Sequence, residues 1–253
     1  MVIGKVKMKA KEAEKEVDRI KEARLIKLTD AIAFKVNSML AIIGKNQVGK
    51  TTFAKNKILS KYDRYVFYDP KIQNIDVKHD ILVTTPAELK KVIRIEKYNY
   101  ILYQPKIVEP SDFDQVCEIV FKEGDGVKDY RGNLLYVDEV MDVSSVNKIE
   151  RFHKMILTQG SGKGIGMINV SQRPSDIHNT ILSESTQFFV FKLALDPDIV
   201  KMEKIIGSAA DEIGYLPYYH FLYANDMEVR KLYNVDLEPY RPPLKEYMAK
   251  IRV

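Results

Sequence analysis

A phosphate-binding loop lies near the start of this chain, directly after a short apolar segment. The segment is Met39-Leu40-Ala41-Ile42-Ile43, and the octapeptide after it matches the pattern G-x-x-x-x-G-K-[ST]: Gly44-Lys45-Asn46-Gln47-Val48-Gly49-Lys50-Thr51. In such a loop the glycines allow consecutive backbone N–H groups to curl around phosphates, and the following helix directs its positive end at them. Its position between a strand-like and a helix-like segment therefore predicts a nucleoside triphosphate binder.

The residues expected to contact the nucleotide run from the first glycine of the loop into the helix. Lys50 would add a mobile positive charge that neutralises the phosphates, and Thr51 would offer its hydroxyl to Mg²⁺. Because backbone N–H groups supply most of the phosphate contacts, the whole segment is assigned to nucleotide binding: Gly44, Lys45, Asn46, Gln47, Val48, Gly49, Lys50, Thr51 and Thr52.

Length and composition favour one large domain with short appendages. The chain has 253 residues, and its apolar fraction of 45% is ample for a hydrophobic core. The formal charge of +5 arises from 40 basic and 35 acidic residues. This excess is too small and too dispersed to identify a nucleic-acid protein, so it permits DNA binding without arguing for it.

Cysteine use and hydropathy indicate the compartment. Cys117 is the single cysteine, so an internal disulfide is excluded, and its apolar surroundings favour a buried packing role. No apolar run approaches the roughly 20 residues that span a bilayer, and the N-terminal residues lack the core of a signal peptide. We therefore expect a soluble, cytoplasmic protein without a transmembrane segment.

The pattern of the chain divides it into three parts. Residues 1–24 are densely charged, which favours either a solvated helix or a partly disordered arm. Residues 25–214 alternate between strand and helix patterns and form the core. Residues 215–253 contain two apolar segments around Asn225-Asp226, which predict an antiparallel hairpin at the edge of the sheet, followed by a tail packed on the core.

The core pattern predicts an α/β fold of the P-loop NTPase type (RecA/ASCE-like). Its sheet should be doubly wound and mainly parallel, with helices on both faces and right-handed crossovers. Strands are predicted at residues 39–43, 65–68, 81–84, 98–103, 134–137, 166–170 and 188–193, and helices at 52–59, 86–97, 111–122, 146–157, 175–183 and 198–206.

Two adjacent acids supply the second half of a hydrolytic site. Asp138 and Glu139 follow the apolar strand 134–137, at the end of a strand where ligands bind in open α/β sheets. Asp138 would hold Mg²⁺ through its water shell, and Glu139 would orient or deprotonate the attacking water. A switch-type GTPase is the obvious rival, but the required Asn-Lys-x-Asp is missing, because Asn147-Lys148-Ile149-Glu150 ends in Glu.

A polar strand end provides a third element. The apolar segment 166–170 ends in Ser171-Gln172, and Arg173-Pro174 follow where the chain must turn. Gln172 at this position would contact both the terminal phosphate and the attacking water, so it would couple the state of the nucleotide to the following helix. Polar strand ends are common, and the spacing alone leaves this sensor role open.

Together the three motifs resemble a family. The order of phosphate loop, apolar strand with Asp138-Glu139, and glycine turn before a strand ending in Ser171-Gln172-Arg173-Pro174-Ser175 is similar to the HerA/FtsK superfamily of DNA-pumping ATPases. Within it, the short chain most resembles the genome-packaging ATPases of archaeal and other membrane-containing viruses. The resemblance covers roughly residues 40–193 and implies ATP and Mg²⁺ as cofactors.

The resemblance also implies roles by matched position. Lys50 and Thr51 would bind phosphate and Mg²⁺, Asp138 would bind Mg²⁺, Glu139 would be the catalytic acid-base, and Gln172 the sensor. The catalytic set is thus Lys50, Glu139 and Gln172. Asp69-Pro70-Lys71 matches the Asp-Pro that commonly ends the second strand in this family.

One departure from the family concerns the residue donated to the neighbouring subunit's nucleotide. Family members carry an arginine finger in the turn before the sensor strand, whereas here Ser161 stands in the turn Gln159-Gly160-Ser161-Gly162-Lys163-Gly164. Lys163 would substitute as a point charge without the fork that makes arginine effective against phosphate. Arg151 and Arg173 are the other candidates for this trans-acting finger.

The resemblance implies a homo-oligomeric ring that moves double-stranded DNA, with backbone rather than base contacts. Candidate DNA contacts are the loops 122–131 and 159–164, whose alternative interpretation is ordinary solvated loops. For the N-terminal arm four alternatives stay open: contact with a capsid protein, with a membrane-associated partner, with DNA, or with no partner. A viral protein of this kind would act in the host cytoplasm or the virion. Two other functions stay open: an AAA-type replication initiator or helicase loader, and a nucleotide-gated scaffold with little hydrolysis.

Overall fold

A nine-stranded sheet forms the centre of the protein, in a computed structural model that describes residues 24–95, 97–123, 133–226 and 228–238. Two short strands near the N-terminus form a separate hairpin. The described strands are β1 (Leu25–Lys27), β2 (Ala33–Lys35), β3 (Met39–Ile43), β4 (Tyr65–Tyr68), β5 (Ile81–Val83), β6 (Tyr100–Tyr103), β7 (Asn133–Val137), β8 (Ile165–Ser171), β9 (Gln187–Phe191), β10 (His220–Asn225) and β11 (Val229–Asn234).

The order of strands in the sheet is β11-β10-β9-β3-β8-β7-β4-β6-β5. The seven strands from β9 to β5 are parallel, while β10 and β11 continue the sheet as an antiparallel edge hairpin. This arrangement confirms the predicted fold class. One detail matters for the site: β8 separates β3, which leads into the phosphate loop, from β7, which leads into Asp138 and Glu139.

Helical segments connect the strands. Among the described residues the α-helices are α1 (Lys50–Phe53), α2 (Pro86–Val92), α3 (Pro110–Glu123), α4 (Arg151–Gln159), α5 (Asn179–Ser183) and α6 (Asp196–Ile206). The run that starts with α1 continues through a π-helical segment, Ala54–Ile58, into a 3₁₀ turn, Leu59–Lys61.

Alternation along the strands feeds two hydrophobic cores, one on each face of the sheet. In β3, Ala41 and Ile43 face the core formed with α2 to α6, whereas Leu40 and Ile42 face the core formed with the α1 run and the β1–β2 hairpin. All five side chains of β3 are buried, as expected for a parallel strand covered on both sides. Aromatic rings fill the second core, where Phe53 lies 5.0 Å from Phe189 and 4.8 Å from Phe221 between ring centroids.

The prediction of a helix over residues 146–157 was wrong at its start. Residues Ser145 and Lys148 form an isolated antiparallel bridge, and α4 begins only at Arg151. Its first turn is satisfied from outside, because Oδ1 of Asp114 on α3 accepts hydrogen bonds from the backbone N–H groups of Phe152 and His153 at 2.6 and 2.9 Å. Such a tertiary cap leaves no signal in the local sequence.

Two further expectations were wrong in part. The predicted helix 175–183 is split into a 3₁₀ turn, Pro174–Asp176, and α5, and the β1–β2 hairpin was not foreseen. The split follows from Asp198, whose Oδ1 accepts from the backbone N–H of Ser175 at 3.1 Å and so holds the turn against α6. The expected arm 1–24 (bar its last residue), the tail 239–253 and most of loop 122–131 lie outside the described residues.

Candidate nucleotide-binding site

The phosphate loop is hydrogen-bonded to the ends of β8 and β9, the two strands that flank β3. The backbone N–H of Gly44 donates to the carbonyl of Ser171 at the end of β8 (3.1 Å), and that of Lys45 donates to Lys192 after β9 (2.9 Å). Gly49 has φ 99°, a left-handed conformation that glycine adopts without steric cost. The sheet thus fixes the loop on both sides, and the loop ends where the α1 run begins.

Lys50 folds back over the loop. Its Nζ donates to the carbonyl oxygens of Gly44 at 2.6 Å and Lys45 at 2.7 Å. Burial lowers the pKa of Lys50 to about 8, although the nearby carboxylates of Glu139 and Asp138 oppose that shift. Burial thus destabilises the charged ammonium group, and its two carbonyl partners compensate only in part. A phosphate would compensate better, so Lys50 is expected to leave the carbonyl oxygens for a bound phosphate.

Asp138 sits at the end of β7, directly across from the loop. Its Oδ1 lies 3.5 Å from Oγ1 of Thr51 and accepts a hydrogen bond from the hydroxyl of Tyr136 at 3.2 Å. Its Oδ2 accepts from Nδ2 of Asn74 at 2.7 Å. Burial raises the pKa of Asp138, the carboxylates of Asp69 and Glu139 raise it further, and the bonds from Asn74 and Tyr136 oppose the rise.

A buried polar network behind Asp138 fixes the end of β4. Asp69 is fully buried and accepts hydrogen bonds from the backbone N–H of Asn74 at 2.9 Å, from its Nδ2 at 2.9 Å and from Nε2 of Gln104 at 3.0 Å. Asn74 therefore bridges Asp69 and Asp138. Buried carboxylates with several donors of this kind hold one geometry, because a broken bond would leave a buried acceptor unsatisfied.

Glu139 is held in a strained conformation beside the end of β8. Its φ of 71° and ψ of 71° are unusual for a residue with a side chain, and strain of this type clusters at functional sites. The backbone N–H of Gln172 donates to Oε1 of Glu139 at 3.1 Å, and the Gln172 side-chain amide donates to Oε2. Nζ of Lys71 lies 3.2 Å from the same Oε2. The sensor candidate and the acid-base candidate are thus in direct contact.

Most of the residues assigned by sequence line one cleft of about 350 Å³, whereas Gly44, Lys45 and Val48 are not part of its lining. Three further residues that the sequence had not placed in the site also line it, namely Lys71, Gln73 and Val170. The predicted residues in the lining are Asn46, Gln47, Gly49, Lys50, Thr51, Thr52, Asp138, Glu139 and Gln172. Lys71, Asn74 and Gln104 were missed as site residues. The Asp69-Pro70 pair was a sequence signal for the first two, whereas Gln104 follows β6 and gave none.

The oxygen donors across the loop suit Mg²⁺. Thr51 offers a hydroxyl and Asp138 a carboxylate, which are the hard ligands that Mg²⁺ takes together with substrate phosphates and water. Within the described part of the chain, no three His, Cys, Asp or Glu side chains converge to hold a metal by themselves. The cation would therefore depend on the nucleotide for its remaining ligands.

The three finger candidates lie in different surroundings. Arg173 is paired within the chain: its Nε donates to Oδ2 of the buried Asp198 at 2.9 Å. Lys163 lies in the turn just before β8, so it is at the opposite end of that strand from the cleft. Its Nζ lies 4.5 Å from the ring centroid of Phe121. Arg151 opens α4 and stacks its guanidinium over Phe152 at 5.4 Å.

The loop 159–164, a candidate for DNA contact, is anchored at its centre. Nδ2 of Asn37 donates to the carbonyl oxygen of Ser161 at 2.7 Å, while Ser161 and Gly162 are exposed. Of the other candidate loop, 122–131, the structure describes only the first two residues. No described helix has the length and apolar character that a membrane crossing requires.

Comparison with solved structures identifies relatives by fold. The genome packaging NTPase B204 from Sulfolobus turreted icosahedral virus 2, in complex with sulfate, superposes with a TM-score of 0.66 at 16% identity, over 82% of this chain and 99% of that one. B204 from Sulfolobus turreted icosahedral virus, a DNA-packaging ATPase, gives 0.65 at 16% identity, over 81% and 98%. VirB4 of Thermoanaerobacter pseudethanolicus gives 0.53 at 12% identity, over 84% and 91%.

No protein-family model and no curated protein sequence matches the chain. Its likeness to these proteins is therefore one of structure, extending over nearly the whole of each of them. B204 has been determined in complex with AMPPCP and with ATP-gammaS. The chain has the P-loop ATPase fold that the resemblance to the HerA/FtsK superfamily predicted, and it shares that fold with viral genome-packaging B204 and with VirB4.

Proposed function

We propose that this protein is a Mg²⁺-dependent ATPase that moves double-stranded DNA, as part of a homo-oligomeric ring that packages a viral or plasmid genome. The observation that carries the ATPase part is the contact between Glu139 and Gln172 in the cleft lined by Lys50 and Thr51. A site made only for binding would need the phosphate loop and would have no use for a strained carboxylate beside a polar strand end.

The chain's own residues divide the chemistry. The loop N–H groups and Lys50 bind and neutralise the phosphates. Thr51 and Asp138 would hold Mg²⁺, which would supply positive charge to neutralise the phosphates. Glu139 accepts a proton from the attacking water or orients it, and Gln172 holds that carboxylate in place. Because Gln172 directly follows β8, its position would change with what occupies the space beside Glu139.

The DNA-moving part of the proposal rests on the structurally similar proteins and on the loops that would contact a neighbouring subunit. B204 is a DNA-packaging ATPase, and the fold covers almost all of it. Ring assembly would bring the 159–164 loop of one subunit toward its neighbour. This loop and Arg151 are proposed to face neighbouring nucleotide or DNA backbone, and the contacts would carry no base readout.

The experiment is steady-state ATP hydrolysis by the full chain, with and without double-stranded DNA, beside Glu139→Gln. We expect turnover that DNA stimulates and that Glu139→Gln lowers by at least about a hundredfold while ATP binding is kept. Turnover that DNA leaves unchanged would argue against translocation and favour a different ATPase role, such as that of an initiator or helicase loader. Tight ATP binding without turnover in either protein would favour the nucleotide-gated scaffold.

A further inference from the structure

Two tyrosines lie against the phosphate loop on the flank away from Glu139. They precede β10, which joins the sheet on the β9 side of the loop, whereas Glu139 follows β7 on the β8 side. The backbone N–H of Tyr219 donates to the carbonyl of Val48 at 3.1 Å. The hydroxyl of Tyr218 accepts a hydrogen bond from Nζ of Lys45 at 3.0 Å. The loop and this segment are thus joined by two bonds.

The ring of Tyr219 packs on the glycine that precedes Lys50. A Cβ placed on Gly49 would lie 2.7 Å from Cδ1 of Tyr219, so the ring rests on the backbone of the loop itself. Tyr219 has φ 65°, an unfavourable conformation for a bulky residue. Despite this anchoring, the side chain is 52% exposed. A large ring is held in strained contact with the phosphate loop while much of its surface stays open.

The direction of the triphosphate places the nucleoside near this ring. The terminal phosphate must lie toward Glu139 and Gln172, where hydrolysis is proposed, so the nucleoside leaves the loop on the other flank. We propose that Tyr219 is the stacking platform for the nucleobase, with Tyr218, held by Lys45, at its edge; this rests on the proposed function. Stacking uses the π-face that every base has, so the platform reads no base edge. It favours purines over pyrimidines because their ring system is larger.

Calorimetric titration with Mg²⁺-ATP and with inorganic tripolyphosphate tests this subsite, because tripolyphosphate has no base. Tyr219→Ala is expected to weaken ATP binding about tenfold and to leave tripolyphosphate binding within about twofold of native. Tyr219→Phe keeps the ring and should restore ATP binding. Equal weakening of both ligands, or unchanged ATP binding, would overturn the proposal. Failure of the native protein to bind either ligand would overturn the proposed function as well.

A different observation carries a second inference, about the cation at the terminal phosphate. Within the described residues, the cleft is lined by two ammonium groups, those of Lys50 and Lys71. Lys71 follows Asp69-Pro70, whose position is fixed by the hydrogen bonds that Asp69 accepts. Its Nζ lies 3.2 Å from Glu139 Oε2, so it stands at the hydrolytic end of the cleft.

Lys71 provides a positive charge in the cleft, whereas the sequence lacks the arginine finger that would otherwise provide one. The turn before β8 has Ser161 where the family resemblance expects an arginine finger, and Arg173 is paired with Asp198. We infer that Lys71 acts in cis as the cation that neutralises charge developing on the terminal phosphate, exchanging its contact with Glu139 for the phosphate. The exchange would release Glu139 to act on water. This inference rests on the proposed function.

Single-chain kinetics and subunit mixing test this role. Lys71→Ala is expected to lower kcat about a hundredfold with the Kd for ATP changed less than about threefold, and Lys71→Arg to recover part of kcat. A mixture of Lys71→Ala and Glu139→Gln proteins should show no recovery, because every site then carries one defect. Recovery in the mixture would assign Lys71 to the neighbouring site, and a faster Lys71→Ala enzyme would make Lys71 a restraint on Glu139. Either result overturns the inference, whereas an inactive native protein overturns the proposed function.

Discussion

The side-chain nitrogen of Asn74 lies 2.7 Å from Oδ2 of Asp138, and the same nitrogen donates to Asp69 at 2.9 Å. One amide thus holds two carboxylates that would otherwise repel each other in a buried setting. It keeps Asp138 oriented toward Thr51, and the Mg²⁺ affinity of the site would depend on that orientation.

Removing that amide should weaken the metal site before it weakens the fold. In Asn74→Ala, Asp138 loses the donor that lowers its pKa, so the pKa rises and a proton competes better with Mg²⁺. We expect the Mg²⁺ concentration for half-maximal ATP hydrolysis to rise about tenfold, and the effect to grow as the pH falls. Asn56→Ala, at an exposed site in the π-helical segment that follows α1, is the control. Equal Mg²⁺ dependence of both variants would contradict the assignment.

Nucleotide affinity should fall at alkaline pH because of Lys50. The pKa of Lys50 is about 8 in the protein without phosphate, and bound phosphate favours the charged form. The loss of the proton above pH 8 therefore opposes binding, by up to about tenfold in Kd per pH unit, whereas the charge is complete below that value. Titration of ATP binding from pH 7 to 9.5 measures this dependence. Lys50→Arg cannot lose its proton in this range, and a native protein as flat as this variant would argue against the shift.

Gly49 and Gly162 form a matched pair of glycines. Alanine at Gly49 meets Tyr219 at 2.7 Å and must adopt φ 99°, whereas alanine at Gly162 meets nothing within 4 Å. We expect Gly49→Ala to abolish measurable ATP binding and to cost about 1–3 kcal/mol in the free energy of unfolding. Gly162→Ala should leave both unchanged. Denaturant unfolding and calorimetry give the two readouts, and similar behaviour of the pair would refute the loop geometry.

Arg173 should prove structural. Its Nε is 2.9 Å from the buried carboxylate of Asp198, which also accepts from the hydroxyl of Ser175 at 2.6 Å. Arg173→Met leaves Asp198 without its cation, which we expect to cost about 2–3 kcal/mol, less than for a fully buried pair because the arginine is partly exposed. A second substitution, Asp198→Asn, should recover part of that loss. A variant of native stability with lost hydrolysis would instead identify Arg173 as the finger.

The motifs that bind phosphate could be located from sequence because each is local. The phosphate loop, Asp138-Glu139 and Ser171-Gln172 each follow an apolar strand, and parallel strands bring their carboxyl ends to one edge. The contacts of Lys71 and Gln104 could not be located in that way. They depend on β4 lying between β6 and β7, and strand order is a property of the whole sheet rather than of any segment.

The boundaries that failed have the same explanation. The start of α4 is decided by Asp114 on α3, and the break before α5 by Asp198 on α6. In each case a carboxylate from another helix takes backbone donors that a local pattern would give to a longer helix. Propensity was overridden by hydrogen bonds between elements far apart in the chain.

The strand β8 runs from the 160–164 turn to Gln172 and is buried over all seven of its residues. It is bonded to β3 on one side and β7 on the other, so it cannot slide by one residue without breaking both ladders. A displacement of Gln172 would therefore reach the other end of β8, about 20 Å away, as a rigid-body tilt of the sheet. The sheet would thus couple the nucleotide site mechanically to whatever contacts the turn that precedes β8.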